Sequence, residues 1–376
     1  MAISKANRGE WGEPYVVLRV LGDGKLFMSD DQGRKNPNEW MNIIDVIRHE
    51  TKERIVIYHY DPENTMVDID INGNRMTSVS ANEFMKAANH LATDVLKATG
   101  RSFKVSDELN AFLRDKAYME HLKAKSIDKN DIYLTVKDPR SSIVRNRIGF
   151  SIKTKFGKDP TLFNTAPASG AKYKVSGMTE ELMTVINSMR DHKGKVAVMG
   201  RCEKLLAEGC RLEFTGFPIA KRAGCEAFRE NLDLINPRLP KVISTMLYNH
   251  FFEGNSNIDI TEITDMIIKK NPCKISRPEL KYPYMIKAFL YAAHCGMTAS
   301  TLWDGKGEVN GGFITVNENG DVIANYALES EAFKSYLFDN CYLEFPATDK
   351  KHGDYAKVYK ENEEYYFNLN FQIRYR

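Results

Sequence analysis

The chain has no apolar stretch long enough to cross a bilayer and no apolar run of signal-peptide form near its start, so the expected compartment is the cytoplasm. Its six cysteines, Cys202, Cys210, Cys225, Cys273, Cys295 and Cys341, stand without C-x-x-C spacing, which argues against both a zinc site and a disulfide framework. His192, His250, His294 and His352 lack partners at metal-ligand spacing and are expected to be structural or solvated. There is no strong excess of one charge either, the formal net being +3. With 376 residues, 43% of them hydrophobic and 27% charged, the chain can bury a sizeable core, divided between two or three subdomains.

The small net charge hides an uneven distribution. From Lys116 to Lys158 eleven Lys and Arg stand against Glu120, Asp128, Asp131 and Asp138, a net of +7, which leaves −4 for the remainder. Such a segment suits a phosphate backbone, and equally a solvated basic hairpin.

Within it, DIYLTVKDPRSSIVRNRIGFSIKTKFGKDPTLFNT runs from Asp131 to Thr165. Alternating apolar residues lead into a polar, basic turn, and a second alternating strand returns over Gly149 to Phe156, the pattern of a β-hairpin. The period of two puts Ser151, Lys153 and Lys155 on one face and Phe150, Ile152, Thr154 and Phe156 on the other. Asp131 and Lys153 can then meet at one end of a twisted sheet. An acid on one strand with a small polar residue and a lysine on the next is what metal-dependent phosphodiester hydrolysis needs: carboxylate oxygens for Mg²⁺, and a lysine to hold water or stabilise the negative transition state. Asp138 is the second candidate for the acid, although it sits in the turn.

NRGEWGEPY near the start, KNDIYLTV before the hairpin, GFSIKTKFGKDPTLFNT within it and the closing YYFNLNFQIRYR occur in this order from about residue 7 to the last residue. Together they resemble the HpaII-type restriction endonucleases, whose pattern reads close to NKGEWSE, KADI, SIKS with a Gly and PTLLN, and LNLQIRF. The resemblance implies a PD-(D/E)xK-type nuclease core, a mixed sheet flanked by helices in an α/β (α+β) chain, with Ser151 where the more usual acid stands. It implies Mg²⁺ as cofactor, double-stranded DNA as substrate, a short target such as CCGG, and a methyltransferase that protects the host's own sites. Asp131 would be the main metal ligand. Ser151 carries no charge, so a second ligand is sought on the first helix, where endonucleases of this core often place a glutamate: Glu13, with Glu10 as the alternative. Asn7 and Glu10 have capping-box spacing, which gives Glu10 a structural use. Pro14 would sit awkwardly in the second turn of a helix capped at Asn7, so the helix is expected to start later or to bend.

The remaining chain is expected to be mixed. Residues 39–49 read as a helix, 55–60, 66–72 and 75–80 as strands, and 81–99 and 106–122 as helices capped by Ser80 and Ser106. Helices follow at 179–190, 198–208, 221–231 and 239–252, a strand at 212–217, and a largely helical stretch at 259–295. FITV and VIAN flank an Asn319-Gly320 turn signal. The expected organisation is an N-terminal α+β region over 1–120, a catalytic core over 121–255 and a C-terminal helical and β region over 256–376.

Asn164 and Thr165, just after the active strand, suit either DNA contact or a turn. In the last strand Phe367, Leu369, Phe371, Ile373 and Tyr375 alternate with Asn368, Asn370, Gln372, Arg374 and Arg376. Asn, Gln and Arg can pair bidentately with base edges, which makes Asn370, Gln372 and Arg374 candidate readers; a polar face on a one-sided sheet needs no such role. The sequence is read as a site-specific, Mg²⁺-dependent endodeoxyribonuclease. A noncatalytic DNA-binding protein and a repair or RNA-processing nuclease are the alternatives.

Overall fold

A computed structural model describes residues 5–30, 33–100, 102–122, 130–157, 159–254, 257–306, 311–326, 330–346 and 355–376. Lys123, Lys125, Asp128, Lys129 and Lys158 of the basic segment, and His352, lie outside them. The chain forms two compact units, Met1–Pro160 with Gly307–Tyr336, and Thr161–Lys306 with Leu337–Arg376.

The first unit opens with helix α1 (Gly12–Asp23) and strands β1 (Lys25–Ser29), β2 (Lys35–His49), β3 (Ile55–Asp61), β4 (Met66–Ile71) and β5 (Asn74–Ser80). Helices α2 (Ala81–Lys97) and α3 (Asp107–Ala111) and the hairpin β6 (Ile132–Lys137) and β7 (Val144–Thr154) follow. The chain then builds most of the second unit with β8 (Thr161–Phe163), β9 (Ala171–Ser176), α4 (Glu180–Ser188), α5 (Val198–Ala207), β10 (Arg211–Gly216), α6 (Ala227–Ile235), α7 (Leu239–Phe252), β11 (Ile258–Asp259), α8 (Ile260–Lys270) and α9 (Pro278–His294). It returns to the first with β12 (Gly312–Val316) and β13 (Val322–Tyr326), and α10 (Ser330–Asn340) runs from one unit into the other. The second unit is completed by β14 (Cys341–Glu344), β15 (Val358–Glu361), β16 (Glu364–Leu369) and β17 (Gln372–Tyr375).

Mixed α+β architecture is as expected, but the main sheet is not simply an open one. Its order is β1-β13-β12-β7-β6-β2-β3-β4-β5, and β1 also pairs with β2, so six strands close into a barrel from which β3, β4 and β5 continue. Closure depends on β2. Residues 39–49 form part of this long strand, not the expected helix: Ile43, Ile44, Val46 and Ile47 are β-branched, and the segment pairs with β1, β3 and β6. A single strand of 15 residues therefore serves both the barrel and its extension.

Helix α1 is buried on almost every side, from Gly12 to Leu18 and again at Val20 and Leu21. It packs on α2 and on β1, β2, β7, β12 and β13, so the curled sheet and α2 enclose it. Ser80 and Ser106 cap α2 and α3 as expected, accepting from the backbone N–H groups of Glu83 and Leu109. The helix expected over 106–122 is short: α3 passes into a π-helical turn at Phe112–Lys116 and ends. The helix expected at 221–231 runs instead over Ala227–Ile235.

In the second unit one sheet has the order β10-β9-β16-β15 and the other β11-β14-β17-β8. The last strand expected from the sequence is thus two strands in two sheets, interrupted at Asn370 and Phe371. Phe371 stacks on Phe163 with centroids 5.2 Å apart, and Asn370 turns inward, so side-chain bonds replace the strand ladder there. Among the described residues no helix is long and apolar enough to cross a membrane.

Candidate active site

β6 and β7 pair antiparallel as the sequence pattern requires, with Ile132 opposite Phe150 and Tyr133 opposite Gly149. The ladder extends one residue beyond β6, where the Asp131 N–H donates to the Phe150 carbonyl at 2.9 Å. Asp131 therefore stands across from Ser151. Its Oδ2 accepts the Ile152 N–H at 2.6 Å and the Ser151 hydroxyl at 3.2 Å. These bonds fix the carboxylate's orientation. Asp138 has a different fate, its Oδ1 accepting the N–H groups of Arg140 and Ser141, which hold its carboxyl below the usual range. It caps the turn at the far end of the hairpin.

Phe150, Ile152 and Phe156 pack into the core of the first unit, and the opposite parity carries Ser151 and Lys153 to the other face. Burial pushes the Lys153 ammonium below the ordinary lysine pKa, while the carboxylates of Asp131 and Glu13 pull it back up. Three charged groups from β7, the head of β6 and the first turn of α1 thus share one electrostatic site. Lys155 is also lowered by burial, opposed by Asp159 and Glu318.

Glu13 reaches this site because α1 begins late. The Asn7 side chain accepts from the Glu10 N–H at 3.0 Å and the Glu10 carboxylate accepts from the Asn7 N–H at 2.9 Å, a reciprocal pair that holds the turn before the helix. Glu10 is engaged there. The helix itself starts at Gly12, so Pro14 lies in its first turn, where a missing N–H costs nothing. Gly12 sits directly against the end of the active strand: a Cβ on it would lie 2.9 Å from both Cβ and Cγ2 of Thr154. Only a residue without a side chain lets α1 approach β7 this closely, and the next residue is Glu13, only 9% exposed.

Parallel pairing with β12 extends the same face, setting Phe313 beside Ser151 and Thr315 beside Lys153. Thr315 is buried and accepts from Asn325 Nδ2 on β13 at 3.4 Å. These neighbours lie far away in sequence, and no local signal marks them.

The residues proposed after the hairpin belong to the second unit. Asn164 is exposed, whereas the Thr165 hydroxyl donates to the Phe371 carbonyl at 2.8 Å. Asn370 is 2% exposed: its Oδ1 accepts from Ser169 Oγ and its Nδ2 donates to the Ala166 carbonyl. Gln372 donates to Thr161 Oγ1 at 3.0 Å, and Arg374 pairs with Glu344. Each of these three already has a partner inside the fold.

The donor set suits a hard cation. Glu13 and Asp131 offer carboxylate oxygens, and one Asp131 oxygen remains beyond the bonds to Ile152 and Ser151. Among the described residues no three His, Cys, Asp or Glu side chains gather at one point. Carboxylate oxygens of this kind are compatible with a hydrated divalent cation, which keeps much of its own water.

Residues 7–375 match the HpaII restriction endonuclease family. The chain is 30% identical over 373 residues to the Type II restriction enzyme HpaII of Haemophilus parainfluenzae, covering 98% of each chain. No solved structure matches.

Proposed function

We propose, from the premise that the chain belongs to the HpaII restriction endonuclease family and is a site-specific endodeoxyribonuclease, that it hydrolyses one phosphodiester in each strand of a short duplex site with Mg²⁺, at the centre formed by Glu13, Asp131, Ser151 and Lys153. The observation that carries this reading is the placement of Asp131 across from Ser151, bonded to the Ser151 hydroxyl and the Ile152 N–H beside Lys153, with the charges of Asp131 and Glu13 acting on the Lys153 ammonium.

In this reading Glu13 and Asp131 hold the cation, and the centre is a PD-(D/E)xK-type site in which Ser151 takes the place of the usual acid. Bound Mg²⁺ supplies Lewis acidity at the scissile phosphate and lowers the pKa of water. Ser151 contributes orientation and no charge, by donating to Asp131. Lys153 positions the attacking water or stabilises charge on the phosphate, and its lowered pKa keeps its proton within easier reach of exchange. Lys155 and the exposed Asn164 are placed on the DNA backbone. A CCGG-like target, a cytoplasmic location and a methyltransferase modifying the same site complete the proposal.

The test is incubation of purified protein with unmethylated plasmid in Mg²⁺ and in EDTA, beside Lys153→Ala, with the fragment ends sequenced. Discrete Mg²⁺-dependent fragments that the variant fails to produce are expected. Binding without cleavage would favour a noncatalytic DNA-binding protein, and unspecific nicking a repair-type nuclease.

A further inference from the structure

The strand that carries Ser151 and Lys153 contains a defect a few residues upstream. Leu134 pairs with Ile148 and Val136 with Arg145, so Thr135 alone faces both Asn146 and Arg147, a β-bulge. The Arg147 N–H points at Thr135 Oγ1 at 3.5 Å, and its backbone is left-handed with φ of 51°. Glycine or asparagine would take that conformation readily; arginine is strained in it.

The side chain leads toward the catalytic end of the hairpin. Arg147 shares parity with Gly149, Ser151 and Lys153, and its side chain reaches Tyr133, the cross-strand partner of Gly149, whose own open side is taken up by Asn130. The guanidinium carbon lies 5.6 Å from the Tyr133 ring centroid, and one guanidinium nitrogen is 3.2 Å from His49 Nε2. The His49 and Tyr133 rings are themselves 5.4 Å apart. Arginine only donates, so His49 Nε2 accepts and is unprotonated. Neither partner is an anion, Arg147 is exposed, and it forms no ion pair with a carboxylate among the described residues. Tyr133 follows Asp131 by two residues on the same face, about 7 Å along the strand, which is the span of one nucleotide of backbone.

We propose that Arg147 grips the phosphate next to the scissile one, with His49 and Tyr133 holding its guanidinium ready for bidentate contact. This rests on reading Asp131 and Lys153 as the catalytic centre.

The test uses the full chain and a duplex containing the site mapped by fragment sequencing, in which single phosphates are replaced one at a time by neutral methylphosphonates. Single-turnover cleavage by the parent should fall at the scissile linkage and at one neighbour. Arg147→Ala should lose about tenfold to hundredfold in kcat/KM, show a salt slope smaller by about one, and lose nothing more when that neighbour is neutralised. Arg147→Gly suits the left-handed backbone, so its Tm should equal or exceed the parent's while its cleavage falls equally. Parent-like cleavage by both variants, or a loss that leaves the methylphosphonate pattern intact, would overturn the assignment. Full cleavage by Lys153→Ala would overturn the reading beneath it, a result that the Arg147 variants do not mimic.

Discussion

β7 and the segment running through β16 and β17 look alike in sequence, each alternating apolar with polar side chains, yet their polar faces are used in opposite ways. On β7 the face carrying Ser151 and Lys153 meets Asp131 and Glu13, and the groups act on one another through charge. In the closing segment Asn370, Gln372 and Arg374 are engaged by Ser169, Ala166, Thr161 and Glu344. Alternation identifies a face. Whether that face does chemistry depends on which charges other elements bring to it and whether its own groups are already bonded.

The widest separation between the regions should come from exchanging one buried polar group in each. Glu13→Gln is expected to lower cleavage by about a hundredfold and raise the Mg²⁺ concentration needed, with stability unchanged or improved because a buried charge is removed. Asn370→Ala should do the reverse, costing about 2–3 kcal/mol through the bonds left unmade at Ala166 and Ser169, with near-parent kcat where the protein remains folded. Paired urea unfolding and single-turnover assays read both. Equal loss of activity in both variants would erase the distinction.

Titration sharpens the comparison. His250, in the second unit, is fully buried, stacks on Phe345 at 4.1 Å and has no hydrogen-bond partner on either ring nitrogen among the described residues; burial alone pushes its pKa down to about 4. Its unfolded value is near 6.5, so the unfolded chain binds the extra proton first. Stability should be unaffected above that pH and fall as pH drops toward 4, by at most about 3 kcal/mol, and His250→Phe should flatten that part of the profile. Lys153 is depressed by burial too, but two carboxylates oppose the shift. Cleavage that needs its ammonium should therefore decline with rising pH somewhat below the ordinary lysine range, and Lys153→Arg should move the alkaline limb upward.

A smaller effect is expected from Gly12→Ala. Its Cβ must displace Thr154 or the start of α1, which shifts Glu13 from the site and should cost about tenfold in kcat with a modest change in Tm. Smallest of all is Gln372→Ala: loss of the bond to Thr161 should cost about 0.5–1 kcal/mol and leave the sequence of the cleaved site unchanged. A relaxed site preference would restore the closing strand as a reader of bases.

The hairpin was legible because its information is local. Alternation over Ile132–Lys137 and Val144–Thr154 and a polar turn between them bring Asp131 opposite Ser151 with little freedom. The Asn319-Gly320 turn and the Ser80 and Ser106 caps were equally readable, since each depends on a few adjacent residues. Residues 39–49 misled because β2 has polar and apolar side chains at intervals that also suit a helix, and its three strand partners, which decide the matter, lie elsewhere in the chain. Arg147 was visible only as one more positive charge; its significance lies in a bulge and a left-handed backbone that composition does not announce.

By itself, then, the sequence determined the paired strands of the hairpin, the register that sets Asp131 opposite Ser151, the capped helix starts and, through motifs kept in order, the family. Those features follow from chain connectivity and a two-residue period acting over short distances. Only the tertiary structure decided that β1 and β2 close a barrel, that β12 returns from far along the chain to lie parallel to β7, that the last strand divides between two sheets, and that Gly12 lets the start of α1 close on β7. The physical reason is that long-range pairing is selected by which apolar faces are buried together, a property of many residues at once that is written in no short stretch of the chain.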